Sequence, residues 1–206
     1  MSASANRSRT NALQRSGRGI YSCPACSGAV RIASKWCPSC HFTGSHTIDM
    51  FAGISPPLPL VFDAAEVLDP AKIRKIESAI LKLQKKFPQF RWRVCTVCLP
   101  VDRRLSLFGF WLFNTAPLAE EERSESREWT VLLTVNALTG EAVVTAGYAV
   151  ETCISDNDWV ALLDRMEKPW SRGNPSGAIL RFMAATSRHL ELSWKRFGVR
   201  RQRRPS

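Results

Sequence analysis

WTVLLTVNALTGEAVVTAGYAVETCISDND, Trp129 to Asp158, carries two β-strands, the tight turn between them and the start of a helix. Trp129, Val131, Leu133 and Val135 alternate with Thr130, Thr134 and Asn136, the period of two expected of a strand with one buried face. Leu132 breaks the alternation, which implies partial cover on the second face. Ala137 to Gly140 supplies a turn in which Gly140 can take positive φ at little cost. The β-rich run Ala142 to Tyr148 then returns as the second arm of a hairpin. Beyond Cys153, Ser155 or Asp156 caps a helix whose Trp159, Leu162, Leu163 and Met166 recur at helical spacing, and Pro169 is expected to stop it.

Working outward, Asp69-Pro70 is a helix opening, with Asp as cap and Pro at the first position. Ile73, Ile76, Ile80, Leu83 and Phe87 fall on one stripe of that helix, and Lys72, Lys75, Lys82, Lys85 and Lys86 lie off it on a solvated face. Arg91 to Leu99 reads as a strand. Its Cys95 and Cys98 are three apart, so on a strand they point to opposite faces and cannot share one ion. Core packing is the expectation for both, as for Cys153. Leu105 to Asn114 is read as a buried helix, and Glu120, Glu121 and Glu122 as a charged loop. After a Gly173-Asn174-Pro175 turn, a last helix from Ser176 aligns Ile179, Phe182, Met183, Thr186, Leu190 and Phe197. The fold class is therefore α/β, an α+β-like mixed sheet of strands 91–99, 129–136 and 142–148 flanked by helices 70–87, 156–168 and 176–197 in two or three layers. The intervening helix lets the first two strands pair in parallel beside the antiparallel hairpin.

A second unit precedes this one. In YSCPACSGAVRIASKWCPSCHF, Cys23, Cys26, Cys37 and Cys40 follow the spacing C-x2-C-x10-C-x2-C. Each C-x2-C turn aims two sulfurs at one point, and two turns complete a tetrahedral shell suited to one structural Zn²⁺, with no open position. The spacing resembles a zinc ribbon, with a short hairpin expected between the knuckles at Ala29 to Lys35. His41 and His46 are then bystanders. The alternative, a pair of redox dithiols, more often shows one C-x2-C beside a βαβ pattern. Gly44 to Leu60, with Pro56, Pro57 and Pro59, reads as a stiff linker outside either core. The expected partition is 1–19 basic arm, 20–46 zinc ribbon, 47–60 linker, 61–194 α/β domain and 195–206 basic tail.

The net charge of +11 lies mostly at the ends. Arg7, Arg9, Arg15 and Arg18 face no acid within 1–19, and Lys195, Arg196, Arg200, Arg201, Arg203 and Arg204 face none within 195–206. Both ends are expected to be solvated, with nucleic-acid or membrane-surface contact as the functional alternative. Seven cysteines without a signal-peptide pattern point to a reducing cytoplasm and to metal use. The most hydrophobic run, Leu105 to Phe113, is far short of the ~20 residues that span a bilayer.

Gly147-Tyr148-Ala149-Val150-Glu151, Ile154-Ser155-Asp156, Pro169-Trp170-Ser171-Arg172-Gly173 and Gly177, with Val61-Phe62-Asp63-Ala64-Ala65-Glu66-Val67-Leu68 upstream, resemble the TPM domain over roughly residues 58–192. That family is named for a thylakoid lumen protein, a photosystem II repair protein and a worm receptor-modulating protein. Some of its members are associated with divalent-cation binding or acid phosphatase activity centred on aspartates near strand ends. The resemblance therefore implies Asp63 and Asp156 as ligands for Ca²⁺ or Mg²⁺, with Arg172 as a phosphate clamp. Two departures count against it: Arg127-Glu128 stands where the family often has an acidic pair, and Ala149 replaces a glycine. No nucleophile motif, phosphate-cradling loop or His/carboxylate pair is present, and His189 has no evident orienting partner. Three readings follow. The favoured one is a non-catalytic cytoplasmic module with a protein partner. The others are a metal-dependent phosphatase, and a nucleic-acid-associated protein using the ribbon and arginine tails.

Overall fold

A computed structural model describes residues 20–31, 34–51, 53–117 and 124–202. The arm 1–19, the charged loop at Glu120 to Glu122 and residues 203–206 lie outside the described residues. In chain order the elements are β1 (Ile20–Ser22), β2 (Ala29–Arg31), α1 (Ser45–Met50), β3 (Val61–Asp63), α2 (Pro70–Lys86), β4 (Arg91–Val97), α3 (Leu105–Thr115), β5 (Thr130–Asn136), β6 (Ala142–Ala146), α4 (Asp156–Ser171) and α5 (Pro175–Gln202).

β1 and β2 form a small antiparallel pair, and the main sheet runs β3-β4-β5-β6. β3, β4 and β5 are parallel, and β6 returns antiparallel to β5. The parallel pairing and the hairpin match the expectation, and Gly140 takes φ +74° in the turn. β3 is an addition: three residues are too short for a period of two to register.

All seven residues of β5 are buried. Val131, Leu133 and Val135 face one core with α2, α4 and α5; Leu132 faces a second core with Leu105, Phe108, Trp111 and Leu112 of α3. The partial cover that Leu132 implied is thus complete, and the domain has three layers. Gly109 makes this approach close: a Cβ there would lie 3.0 Å from Thr145 Oγ1 and 3.3 Å from Thr134 Oγ1.

Several local expectations change. Pro169 does not stop α4 at once: the helix runs two residues on to Ser171, without the bond that a residue 169 N–H would give to the carbonyl of Arg165. α5 opens at Pro175, with Asn174 Oδ1 accepting from Gly177 N–H at 2.9 Å as its cap. The 44–60 segment is not a bare linker. It contains α1, buries Leu58 in the α3 core, and sets Phe51 edge-on to Phe108 and tilted against Trp111, each at 5.4 Å. Apolar residues at these positions outweigh the stiffness of the prolines. Cys95 is buried in that core, but Cys98 lies past the end of β4 and is exposed. Core packing therefore holds for Cys95 alone of that pair.

The glycine before Tyr148 is required by space. A Cβ at Gly147 would sit 2.3 Å from the carbonyl oxygens of both Arg127 and Glu128, and backbone cannot yield as a side chain can. Gly147→Ala is expected to destabilise the domain by about 2 kcal/mol or more, read as a lower urea midpoint at unchanged m-value.

Candidate metal centre and the acidic positions

The two knuckles are built alike. Pro24 and Pro38 follow the first cysteine of each, and the fifth residue of each turn, Ser27 and His41, takes φ of 62° and 58°. In both, that residue's N–H closes the turn onto the first cysteine's carbonyl, at 2.8 Å in the first and 2.9 Å in the second. His41 therefore serves the turn. A hairpin was expected between the knuckles; β2 pairs instead with β1, so the hairpin formed by the described residues brackets the first knuckle.

The sulfurs of Cys23, Cys26, Cys37 and Cys40 lie within 4.8 Å of one another. Cys23 Sγ is 3.6 Å from Cys40 Sγ, and Cys26 Sγ is 3.6 Å from Cys37 Sγ. A tetrahedral ion with ~2.3 Å bonds to sulfur requires about 3.8 Å between ligands, so the quartet fits one metal ion such as zinc. The N–H groups of Ala25 and Gly28 point at Cys23 and Cys26 sulfur, both at 3.4 Å, where they would stabilise thiolates. Burial pushes the Cys23 thiol up to about 12. At Cys37 burial acts the same way, but N–H groups of Cys40 and Ser39 outweigh it and bring the thiol down to about 6. His46 is occupied otherwise, its Nδ1 accepting from Thr43 N–H at 3.1 Å. Among the described residues, no second group of three or more such ligands converges.

The ribbon is seated on α3. Ser106 Oγ donates to Pro24 O at 3.0 Å, Arg104 donates to Ala25 O, and Phe110 meets Phe42 edge-on at 5.8 Å. The first knuckle thus leans on the larger domain. The sequence reading missed this role for Arg104 and Ser106, whose signal was only a polar start to an otherwise apolar helix.

Asp63 and Asp156 belong to no group of three or more converging ligands among the described residues. Asp63 ends β3 in register with Thr96, which pairs with Val135 near the end of β5. Its oxygens accept from Val67 N–H at 3.3 Å, Leu68 N–H at 2.8 Å and the Thr96 hydroxyl, closing the turn that leads to α2. Asp156 is the first residue of α4, nine residues beyond Gly147, whose N–H bonds to Thr130 O at the start of β5. Arg172 caps the far end of α4, about 24 Å from Asp156 along a 16-residue helix.

The departures from the family pattern also have structural explanations. Arg127 donates to the carbonyls of Phe113 and Ala116 at 2.9 Å or less, pinning the end of α3. Ala149 still brings its backbone close, its N–H reaching Glu128 O at 3.1 Å. His189 does have neighbours: Asp158 at 3.7 Å and Ser193 at 3.4 Å. Both approach the same nitrogen, Nε2, so they form no relay through the ring.

The TPM domain model matches residues 61–189, more than half of the chain. The chain belongs to the TPM domain family. Among solved structures, the TPM fold here is similar to the N-terminal domain of a protein from P. gingivalis, at TM-score 0.52 and 18% identity over 71% of this chain and 88% of that one. At that identity the similarity shows the fold alone. The BA42 protein of the psychrophilic bacterium Bizionia argentinensis matches at TM-score 0.49 and 15% identity, over 62% of this chain and 84% of that one. No curated protein matches the chain. Among the described residues of this TPM protein, no helix is long and apolar enough to cross a membrane.

Metal binding replaces thiol protons, so acid opposes it. Apparent affinity is expected to fall as pH is lowered from 8 to 6, roughly tenfold per unit for each proton released. Chelator competition across that range measures it; a pH-independent affinity would contradict thiolate ligation.

Proposed function

We propose that this TPM protein is a non-catalytic accessory module of the cytoplasm, held in shape by one structural Zn²⁺ and acting by binding a partner. The observation that carries the proposal is the closed sulfur quartet. Four thiolates complete a tetrahedral shell and leave no position for water or substrate. Sulfur donors also favour zinc over Ca²⁺ or Mg²⁺, which take oxygen.

The ribbon has little else to hold it. Its apolar core is Cys23, Val30 and Cys37 with Ala25 and Phe42 packed beside them, so two of its three fully buried members are themselves ligands. Bound zinc would supply most of the folding energy of such a unit. All seven cysteines are free of disulfides, which supports a reducing compartment. The placing of Asp156 and Arg172 at opposite ends of α4 favours this account over a phosphatase, because a phosphoryl group needs its metal and its clamp within one site.

The purified protein is expected to hold one zinc per chain, and Cys37→Ser to lose it, with the ribbon unfolding while the α/β domain stays folded. No phosphate release from a phosphomonoester is expected with Mg²⁺ or Ca²⁺ added. Metal-dependent turnover that survives in the Cys37→Ser variant would overturn the proposal.

A further inference from the structure

The four sulfurs of the ribbon differ in their access to water. Cys23 and Cys37 are buried, whereas Cys26 and Cys40 are exposed. Each exposed sulfur has a buried one from the opposite knuckle at 3.6 Å: Cys26 beside Cys37, and Cys40 beside Cys23. The knuckles abut there, since a Cβ at Gly28 of the first would lie 2.8 Å from Ser39 Oγ of the second. Both cross-knuckle pairs are therefore held in van der Waals contact. Cys98 is also exposed, but it belongs to the larger domain, past the end of β4.

An exposed thiolate with a second thiolate in contact has a defined reaction with a hydroperoxide. The exposed sulfur attacks one peroxide oxygen; the O–O bond breaks, hydroxide leaves and a sulfenic acid forms. The buried sulfur then attacks the sulfenic sulfur; the S–S bond forms as the S–O bond breaks, and a second hydroxide leaves. Two thiolates have given two electrons to one peroxide. Disulfide sulfur carries no charge and is no longer a ligand, so the first such step leaves an ion with half its shell. The seat of the ribbon is tied to these sulfurs, because Pro24 and Ala25, which accept from Ser106 and Arg104 of the larger domain, lie between Cys23 and Cys26.

We propose that the sulfur quartet is a peroxide-sensitive switch, in which oxidation closes the Cys26–Cys37 and Cys23–Cys40 disulfides, expels the metal and loosens the ribbon from α3. This names the regulation of the structural zinc site proposed above and rests on that reading. A reducing compartment holds the quartet as thiolates at rest. Loss of the ion then removes most of what folds the ribbon, while the α/β domain keeps its own two cores.

The test titrates the full-length zinc-loaded protein with hydrogen peroxide. A chromophoric chelator reads released zinc, and peptide mass spectrometry after thiol alkylation reads the disulfides. All the zinc is expected to be released by about two equivalents of peroxide, one for each disulfide. Both disulfides should join one knuckle to the other, and dithiothreitol with added zinc should restore the starting state. Cys98→Ser should release zinc as the unaltered protein does. Trypsin should cut after Arg31 and Lys35 at least tenfold faster once the protein is oxidised; both side chains are exposed at rest, so the change reports backbone order. Zinc retained under peroxide, disulfides only within each C-x2-C, sulfinic acid in place of disulfide, release abolished by Cys98→Ser, or unchanged cleavage overturns the inference. If zinc is bound and peroxide does not release it, the structural site stands without the switch. A purified protein that holds no zinc removes both.

Discussion

β5 is a strand that cannot show either face to water. Val131, Leu133 and Val135 on one side and Leu132 on the other are at most 1% exposed, and a large aliphatic side chain left in water forfeits about 1.5–3 kcal/mol. Both faces must therefore be covered, and the cover cannot be shared. α2, α4 and α5 take one side, and α3 takes the other with Gly109 pressed against Thr134 and Thr145. The ribbon leans on the outside of α3, and α2, α4 and α5 lie across the sheet from it.

The acidic residues join no ligand cluster among the described residues. Asp63 closes a turn at the end of β3, and Asp156 opens α4 after the hairpin has ended. Both lie at ends of elements, where carboxylates have structural work to do. The sulfurs differ in kind: no element end explains four of them, and they converge.

What was legible in the sequence followed from short-range rules. The hairpin, the Asp69 cap, the cysteine spacing and the stripe on α2 each depend on residues a few positions apart. Leu132 was legible as a deviation, and it pointed correctly to the second face. The rest required distance. Three residues of β3 carry no measurable period, and the seat of the ribbon joins Pro24 and Ala25 to residues about eighty positions away. Pro169 marks the end of α4 to within two residues, since the helix closes at Ser171. The basic ends and the lysine-bearing face of α2 were visible in the sequence, but only the packing shows that α2 and α5 cover the same side of the sheet.

The account's central claim is that the protein's metal is enclosed by sulfur and performs no chemistry, so that function resides in surfaces. X-ray absorption at the zinc edge on the purified protein tests it most directly. The account predicts a single shell of four sulfurs at about 2.3 Å. Nitrogen or oxygen in that shell, with an exchangeable water among the ligands, would make the site an open one and contradict it.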